Sequence, residues 1–215
     1  QVTGSQGVLE YETRLVVSGE NEIIAIVRDI TERKRMEARL QYLSMHDSLT
    51  GLYNRAYFQQ EMRRLSSGRH LPVGIVVCDV DGLKLINDTL GHEHGDALIL
   101  SVSRILTECF RSDDVVARIG GDEFAVLLSE ISRPALEKIC RRIHARSAEY
   151  NRINVAIPLG LSVGYAISDE FSINITALFQ EADNAMYRHK LLAGQDAKSE
   201  IMRGMFKALE ARDFF

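Results

Sequence analysis

The sequence predicts an α/β domain in which a central mixed β-sheet is covered by helices, preceded by a β-hairpin and a connector helix. Three observations carry this. From residue 72 onwards short apolar runs alternate with longer stretches of helical periodicity, the pattern of a sheet built with crossovers. Gly120-Gly121-Asp122 forms a tight turn between two β-runs, which makes them an antiparallel pair. Of the 215 residues, 46% are apolar and 26% charged, enough to bury a full core.

Taken in order, residues 8–17 and 22–27 read as two β-runs joined around Ser18-Gly19-Glu20-Asn21, a composition that suits a hairpin turn. A lone hairpin is marginal in water, so this one calls for a partner sheet. Thr31 is a candidate N-cap for a helix over 32–44, where Met36, Leu40 and Leu43 form one apolar stripe. A helix packed on its own domain and a short two-stranded coiled coil both fit that stripe. Residues 72–78 read as a buried strand and 84–110 as a long helical region interrupted near Gly91 and Gly95. Residues 115–119 and 124–128 are the arms of a hairpin with acids at its tip. A helix over 134–150, a strand over 159–167 and a last helix over 176–192 complete the domain.

Charge and composition exclude several classes. With 26 Lys+Arg against 30 Asp+Glu, net −4, there is no basic footprint for nucleic acid. The longest mostly apolar stretch, 155–167, is interrupted by Pro158 and Gly160 and falls short of a membrane span. Cys78, Cys109 and Cys140 are widely spaced, with no C-x-x-C pair, which points to a reducing compartment and a cytoplasmic location. No secretory signal is visible, and both ends read as cuts in a longer protein whose other parts could attach it to a membrane.

The informative feature is the placement of acids at strand ends. Asp79-Val80-Asp81-Gly82 follows an apolar run, and Asp122-Glu123 sits in the later turn. Any single Asp in a turn is ordinary, but two clusters at neighbouring strand ends can converge on one hard cation, which suggests phosphoryl or nucleotidyl chemistry. Gly120 and Gly121 lack the Cβ that would block a phosphate. Neither G-x-x-x-x-G-K-[ST] nor G-x-G-x-x-G occurs, so the P-loop and Rossmann readings fail. His92-Glu93-His94 is a poor zinc motif, because alternate residues on a helix point to different faces.

Four stretches resemble one family in its own order. Arg118-Ile119-Gly120-Gly121-Asp122-Glu123-Phe124 looks like the signature of the GGDEF family, the diguanylate cyclases. Asp47 through Arg55 resembles its opening D-x-L-T-G-L-x-N-R. The run from Asp79 through Lys84, Asn87-Asp88, Gly91-His92 and Gly95-Asp96 resembles its D-x-D-x-F-K-x-x-N-D-x-x-G-H-x-x-G-D. Ala182-Asp183 through Tyr187 and Lys190 resembles its last helix.

The resemblance implies a palm-like fold related to nucleotidyl cyclases and a diguanylate cyclase activity. Two GTP would be condensed to cyclic di-GMP and two pyrophosphates by a homodimer that uses Mg²⁺ or Mn²⁺. It implies that Asp79, Asp122 and Glu123 are catalytic and, with the Val80 carbonyl, hold the metal. Lys84 and Lys190 would neutralise phosphate, with Gly120 and Gly121 lining it. Asn87, Asp96 and nearby His92 would read guanine. A carboxylate at Asp96 accepts from guanine's N–H groups and would be left unpaired by adenine. For Asn87 and Asp96 taken alone, helix capping is the plainer reading. Arg111-Ser112-Asp113-Asp114 resembles the family's R-x-x-D inhibitory site, at which cyclic di-GMP would act as feedback inhibitor; a solvated surface ion pair is the bland alternative.

This sequence departs from the family at Leu83, usually Phe, at His189, usually Ala, and at Gly194-Gln195-Asp196, which stands where G-R-N closes the motif. Residues 27–34 look like the end of a PAS sensor domain, and 205–215 are similar to the helix that opens HD-type phosphohydrolase domains. The division expected is a PAS remnant over 1–31, a connector over 32–46, a GGDEF domain over 47–195 and a linker helix over 196–215. A GGDEF module that binds GTP or cyclic di-GMP and regulates a neighbouring domain without turnover is the alternative.

Overall fold

A computed structural model of the chain describes residues 2–4, 7–18, 22–66, 70–154, 157–170 and 174–192. The chain divides into two units, Gln1–Met45 and His46–Phe215.

In the first unit β1 (Val2–Gly4) pairs with β2 (Gly7–Leu9), and β3 (Tyr11–Val17) pairs antiparallel with β4 (Ile23–Asp29) over seven residues each. The predicted hairpin is present as β3–β4, but the run expected over 8–17 breaks at Glu10, and Val8 and Leu9 pair with β1 instead; the turn residues 19–21 lie outside the described ones. Helix α1 (Thr31–Met45) follows. Thr31 is not its N-cap: it is the first helical residue, its N–H donates to Asp29 Oδ1 at 2.9 Å, and its Oγ1 accepts from the Glu10 N–H at 2.9 Å. The hydroxyl is used to tie the helix start to the hairpin, while the Asp29 carboxylate, two residues upstream, accepts the first helical N–H.

The second unit is built on a five-stranded mixed sheet, in the order β5 (Tyr53–Asn54), β7 (Val115–Arg118), β8 (Glu123–Leu128), β6 (Val73–Asp81), β9 (Gly160–Ser168). Only the β5–β7 pair is parallel. All nine residues of β6 are buried, as befits a central strand covered on both faces. Val76, Cys78 and Val80 point to one face, under α3 (Leu83–Leu90), α4 (His92–Cys109) and α5 (Arg133–Ile153). Ile75 and Val77 point to the other, under α2 (Arg55–Leu65) and a helix over residues 175–192, α6. That period of two also places Asp79 on the α2/α6 face.

The long helical region read from the sequence breaks once, at Gly91 (φ 95°), and Gly95 is an ordinary helical residue. Helix α2 was not anticipated; Asn54 caps it by accepting the Tyr57 N–H at 3.0 Å. Gly164 on β9 has α6 lying directly upon it, since a Cβ there would strike the backbone of Ala182 and Met186. Because neither backbone can yield cheaply, Gly164→Ala is expected to cost about 1–3 kcal/mol of stability, the scale of overpacking. Urea unfolding with an unchanged slope and a lowered midpoint would check this.

Candidate active site

The register of the central strands assembles the acids. Asp79 lies opposite Glu123 in the β6–β8 pair, and the Val80 N–H donates to the Asp122 carbonyl at 3.0 Å. Two clusters 43 positions apart in sequence, Asp79 and Asp122, thus meet at one end of the sheet. The turn is closed by the N–H groups of Ile119 and Gly120, which both donate to the Glu123 carbonyl, at 2.9 and 3.2 Å. Gly120 leaves room for Glu123 itself, since a Cβ at Gly120 would sit 2.5 Å from Glu123 Oε2; one at Gly121 would meet nothing.

Arg118 braces this turn, donating from Nη2 to the Gly121 carbonyl at 2.8 Å and from Nη1 to Asp47 Oδ1 at 3.2 Å. Asp47 also accepts from the Thr50 N–H at 2.8 Å and hydroxyl at 2.7 Å. Burial pushes the Asp47 carboxyl up, but Thr50 and Arg118 outweigh it and leave it below the usual range. The sequence motifs contain both residues, yet nothing in either motif alone shows that they pair.

Asp79 is 5% exposed, and Lys190 on α6 donates to its Oδ1 at 2.6 Å. Burial raises the Asp79 carboxyl; Lys190 opposes this, while the charges of Asp122 and Asp183 add to it. Burial depresses Lys190, but the bond and charge of Asp79 prevail and hold the ammonium above its ordinary value. Glu123 is pushed up by burial and then by Asp122, Asp79 and Asp183, with Arg55 opposing. Asp183 and Arg55 therefore belong to the same electrostatic cluster, although the sequence reading gave them no part. A neighbouring cavity of about 630 Å³, between α2 and α6, is lined by Arg55, Phe58, Met62, Glu123, Phe179 and Asp183.

A carboxyl whose pKa rises on folding costs stability once it is ionised, and the cost is relieved on acidification through that pKa. Glu123→Gln is therefore expected to raise the melting temperature of the metal-free protein by about 1–3 °C near neutral pH, a small shift because solvent screens the group. The difference should vanish below about pH 4, where the glutamate is protonated in both states. Thermal melts of parent and variant across pH measure it.

Among the described residues no three His, Cys, Asp or Glu side chains are already disposed to hold a metal ion, and Lys190 stands on Asp79 instead. The donor set nonetheless fits a hard divalent cation. It offers only oxygens, from mutually repelling carboxylates, and Mg²⁺ needs just one or two carboxylates when substrate phosphates complete its shell.

Lys84 and Asn87 lie on α3, His92 and Asp96 on the start of α4. Lys84, His92 and Asp96 are exposed. Asn87 Oδ1 is buried without a hydrogen-bond partner, and the missing Cβ of Gly95 makes room for that side chain. The capping reading fails for both polar residues: Gly82 and Gly91 are the N-caps, with no side-chain cap bond, and α3 ends on the Asn87 backbone carbonyl.

Arg111 and Asp114 form a turn of their own, in which Asp114 Oδ2 accepts the Arg111 backbone N–H at 2.8 Å. The surface ion pair is absent among the described residues, which leaves the exposed guanidinium available. Burial raises the Asp114 carboxyl against the amide and charge of Arg111. Both line a cavity of about 240 Å³ with His46, Tyr53 and Phe110, where Tyr53 stacks on His46 at 4.7 Å. Gly194-Gln195-Asp196 and the segment 205–215 lie outside the described residues.

The family model described as "Diguanylate cyclase, GGDEF domain" matches residues 44–195. Cyclic di-GMP phosphodiesterase PdeR of Escherichia coli is 41% identical over 80% of this chain and 27% of its own length. Diguanylate cyclase DgcM of Escherichia coli is 33% identical over 85% of this chain and 45% of its own. A solved microbial GGDEF domain, described in its interaction with bis-(3′,5′)-cyclic di-GMP, is 30% identical with a TM-score of 0.59, covering 71% of this chain and 94% of that one. The chain thus spans less than half the length of these two curated relatives.

Proposed function

The chain belongs to the GGDEF family of diguanylate cyclases, and from that premise we propose that it condenses two GTP into cyclic di-GMP with release of two pyrophosphates. The observation that carries this is the buried Asp79 opposite Glu123 and beside Asp122, held by a lysine whose charge suits phosphate. Each 3′-hydroxyl attacks the other nucleotide's α-phosphate in line with the departing pyrophosphate, so positioning and charge supply most of the rate.

Asp79, Asp122, Glu123 and the Val80 carbonyl would hold a divalent cation, Mg²⁺ or Mn²⁺, which would supply positive charge to the phosphate oxygens. Glu123, opposite Asp79 and next to Asp122, would take the proton of the attacking hydroxyl. Lys190 turns from Asp79 to phosphate, where Lys84 joins it. Gly121 offers open space on the phosphate side of the turn. The unpartnered Asn87 Oδ1 accepts from the guanine edge beside Asp96, with His92 flanking. Asp96→Ser is expected to weaken the preference for GTP over ATP by about 1–3 kcal/mol, read as the ratio of kcat/KM values.

One domain holds one GTP, so two copies face each other and the α1 connector controls the encounter. The hairpin of the first unit is the last part of a PAS sensor in this reading, and the chain works in the cytoplasm. No helix of the described residues is long and apolar enough to cross a membrane. Cyclic di-GMP inhibits at Arg111 and Asp114. The second reading, a module that binds nucleotide without turnover, is favoured by the phosphodiesterase name of the 41% identical relative. Incubation with GTP and Mg²⁺ followed by nucleotide separation distinguishes them: cyclic di-GMP above a metal-free control supports the cyclase, and GTP bound but returned unchanged supports the module.

A further inference from the structure

Two histidines stand outside the chemistry above. His144 on α5 and His189 on α6 bring their rings together with centroids 5.2 Å apart and planes inclined by 32°. Nδ1 of His189 is buried and has no hydrogen-bond partner, a state that ring packing alone does not relieve. Two imidazoles that share one tetrahedral zinc ion through bonds of about 2.0–2.1 Å place their ring centres about 5 Å apart, which is the separation found here.

The surroundings favour a cation. Partial desolvation of the His144 ring where it meets α6, together with the neighbouring His189, holds this otherwise exposed residue toward its neutral form, the form that ligates. Asp81, buried on β6 and accepting from the Ser162 hydroxyl at 2.9 Å, lies near enough to His189 to interact with it electrostatically. The hard oxygen cluster at Asp79 suits Mg²⁺, whereas imidazole nitrogens select borderline ions, so the two sites do not compete for one metal.

We propose that His144 and His189 form an open two-histidine site for a borderline transition-metal cation, of which Zn²⁺ is the type, with water completing its shell. Two protein ligands make it weaker than a closed four-ligand zinc site. Because His189 immediately precedes Lys190, the bound ion ties α5 to the helix whose lysine holds Asp79. The site stands independently of the cyclase reading.

The test is zinc titration calorimetry on the full chain without an affinity tag, in excess Mg²⁺ so that the oxygen cluster is satisfied. Cobalt absorption would serve as a second measure of coordination. The parent is expected to take up one Zn²⁺ per chain, with affinity falling at least tenfold in His144→Gln and in His189→Ala separately. His92→Gln combined with His94→Gln, on the exposed first turn of α4, should leave it unchanged. His144 is exposed on α5, so its variant keeps the test open if His189→Ala fails to fold. The proposal is overturned if the parent binds no stoichiometric zinc, if affinity survives within twofold in His144→Gln, or if the α4 variant loses it.

Discussion

Asp79→Asn and Asp122→Asn are each expected to lower cyclic di-GMP formation at least about 100-fold while the fold is retained, because each removes one of the three carboxylates that draw a divalent cation onto the phosphates. The two variants separate two effects. Asp79→Asn also releases Lys190 from its 2.6 Å contact, whereas Asp122→Asn leaves that ion pair intact. Equal losses place the effect in metal binding; a loss confined to Asp79→Asn would assign it to the placement of Lys190. Steady-state turnover at saturating GTP, with circular dichroism as the control for folding, makes the comparison.

The sheet was legible because its signals are local. The apolar run of β6, the Gly-Gly-Asp turn and the acids beside them lie within short stretches that can be read one at a time, although it is the pairing of β6 with β8 that brings the acids together. Helix α2 was missed although its buried residues Phe58, Glu61 and Leu65 keep a helical spacing, because the helix is only 11 residues long and its cap, Asn54, belongs to the D-x-L-T-G-L-x-N-R run. The long helical region was misjudged at Gly95, where the missing Cβ serves the Asn87 side chain and not a break in the helix. Contacts across the chain were invisible. Lys190 meets Asp79 from 111 residues away, and Arg118 meets Asp47 from 71. No periodicity encodes such pairs, since they follow from where α6 and the opening loop come to rest on the finished sheet.

Arg111→Ala is expected to abolish inhibition by added cyclic di-GMP while leaving initial rates in product-free solution nearly unchanged. Arg111 is exposed, its backbone is already fixed by Asp114, and its guanidinium contributes nothing to the acid cluster, so removing it deletes a ligand contact without disturbing the strand that leads to Gly120. A ligand seated in the cavity with His46, Tyr53 and Phe110 acts from a second site, through a coupling free energy of about 1–3 kcal/mol. Inhibition of the parent should therefore persist at high GTP. Equal inhibition of parent and variant, or relief of inhibition by GTP, would remove Arg111 from this role.

The most direct test of the central claim is turnover per chain measured against chain concentration, with cyclic di-GMP and pyrophosphate counted in the same samples. Two half-sites that must meet predict two pyrophosphates for each cyclic dinucleotide and a turnover per chain that rises with concentration until the dimer saturates. GTP bound with Mg²⁺ but recovered unchanged at every concentration would contradict the account.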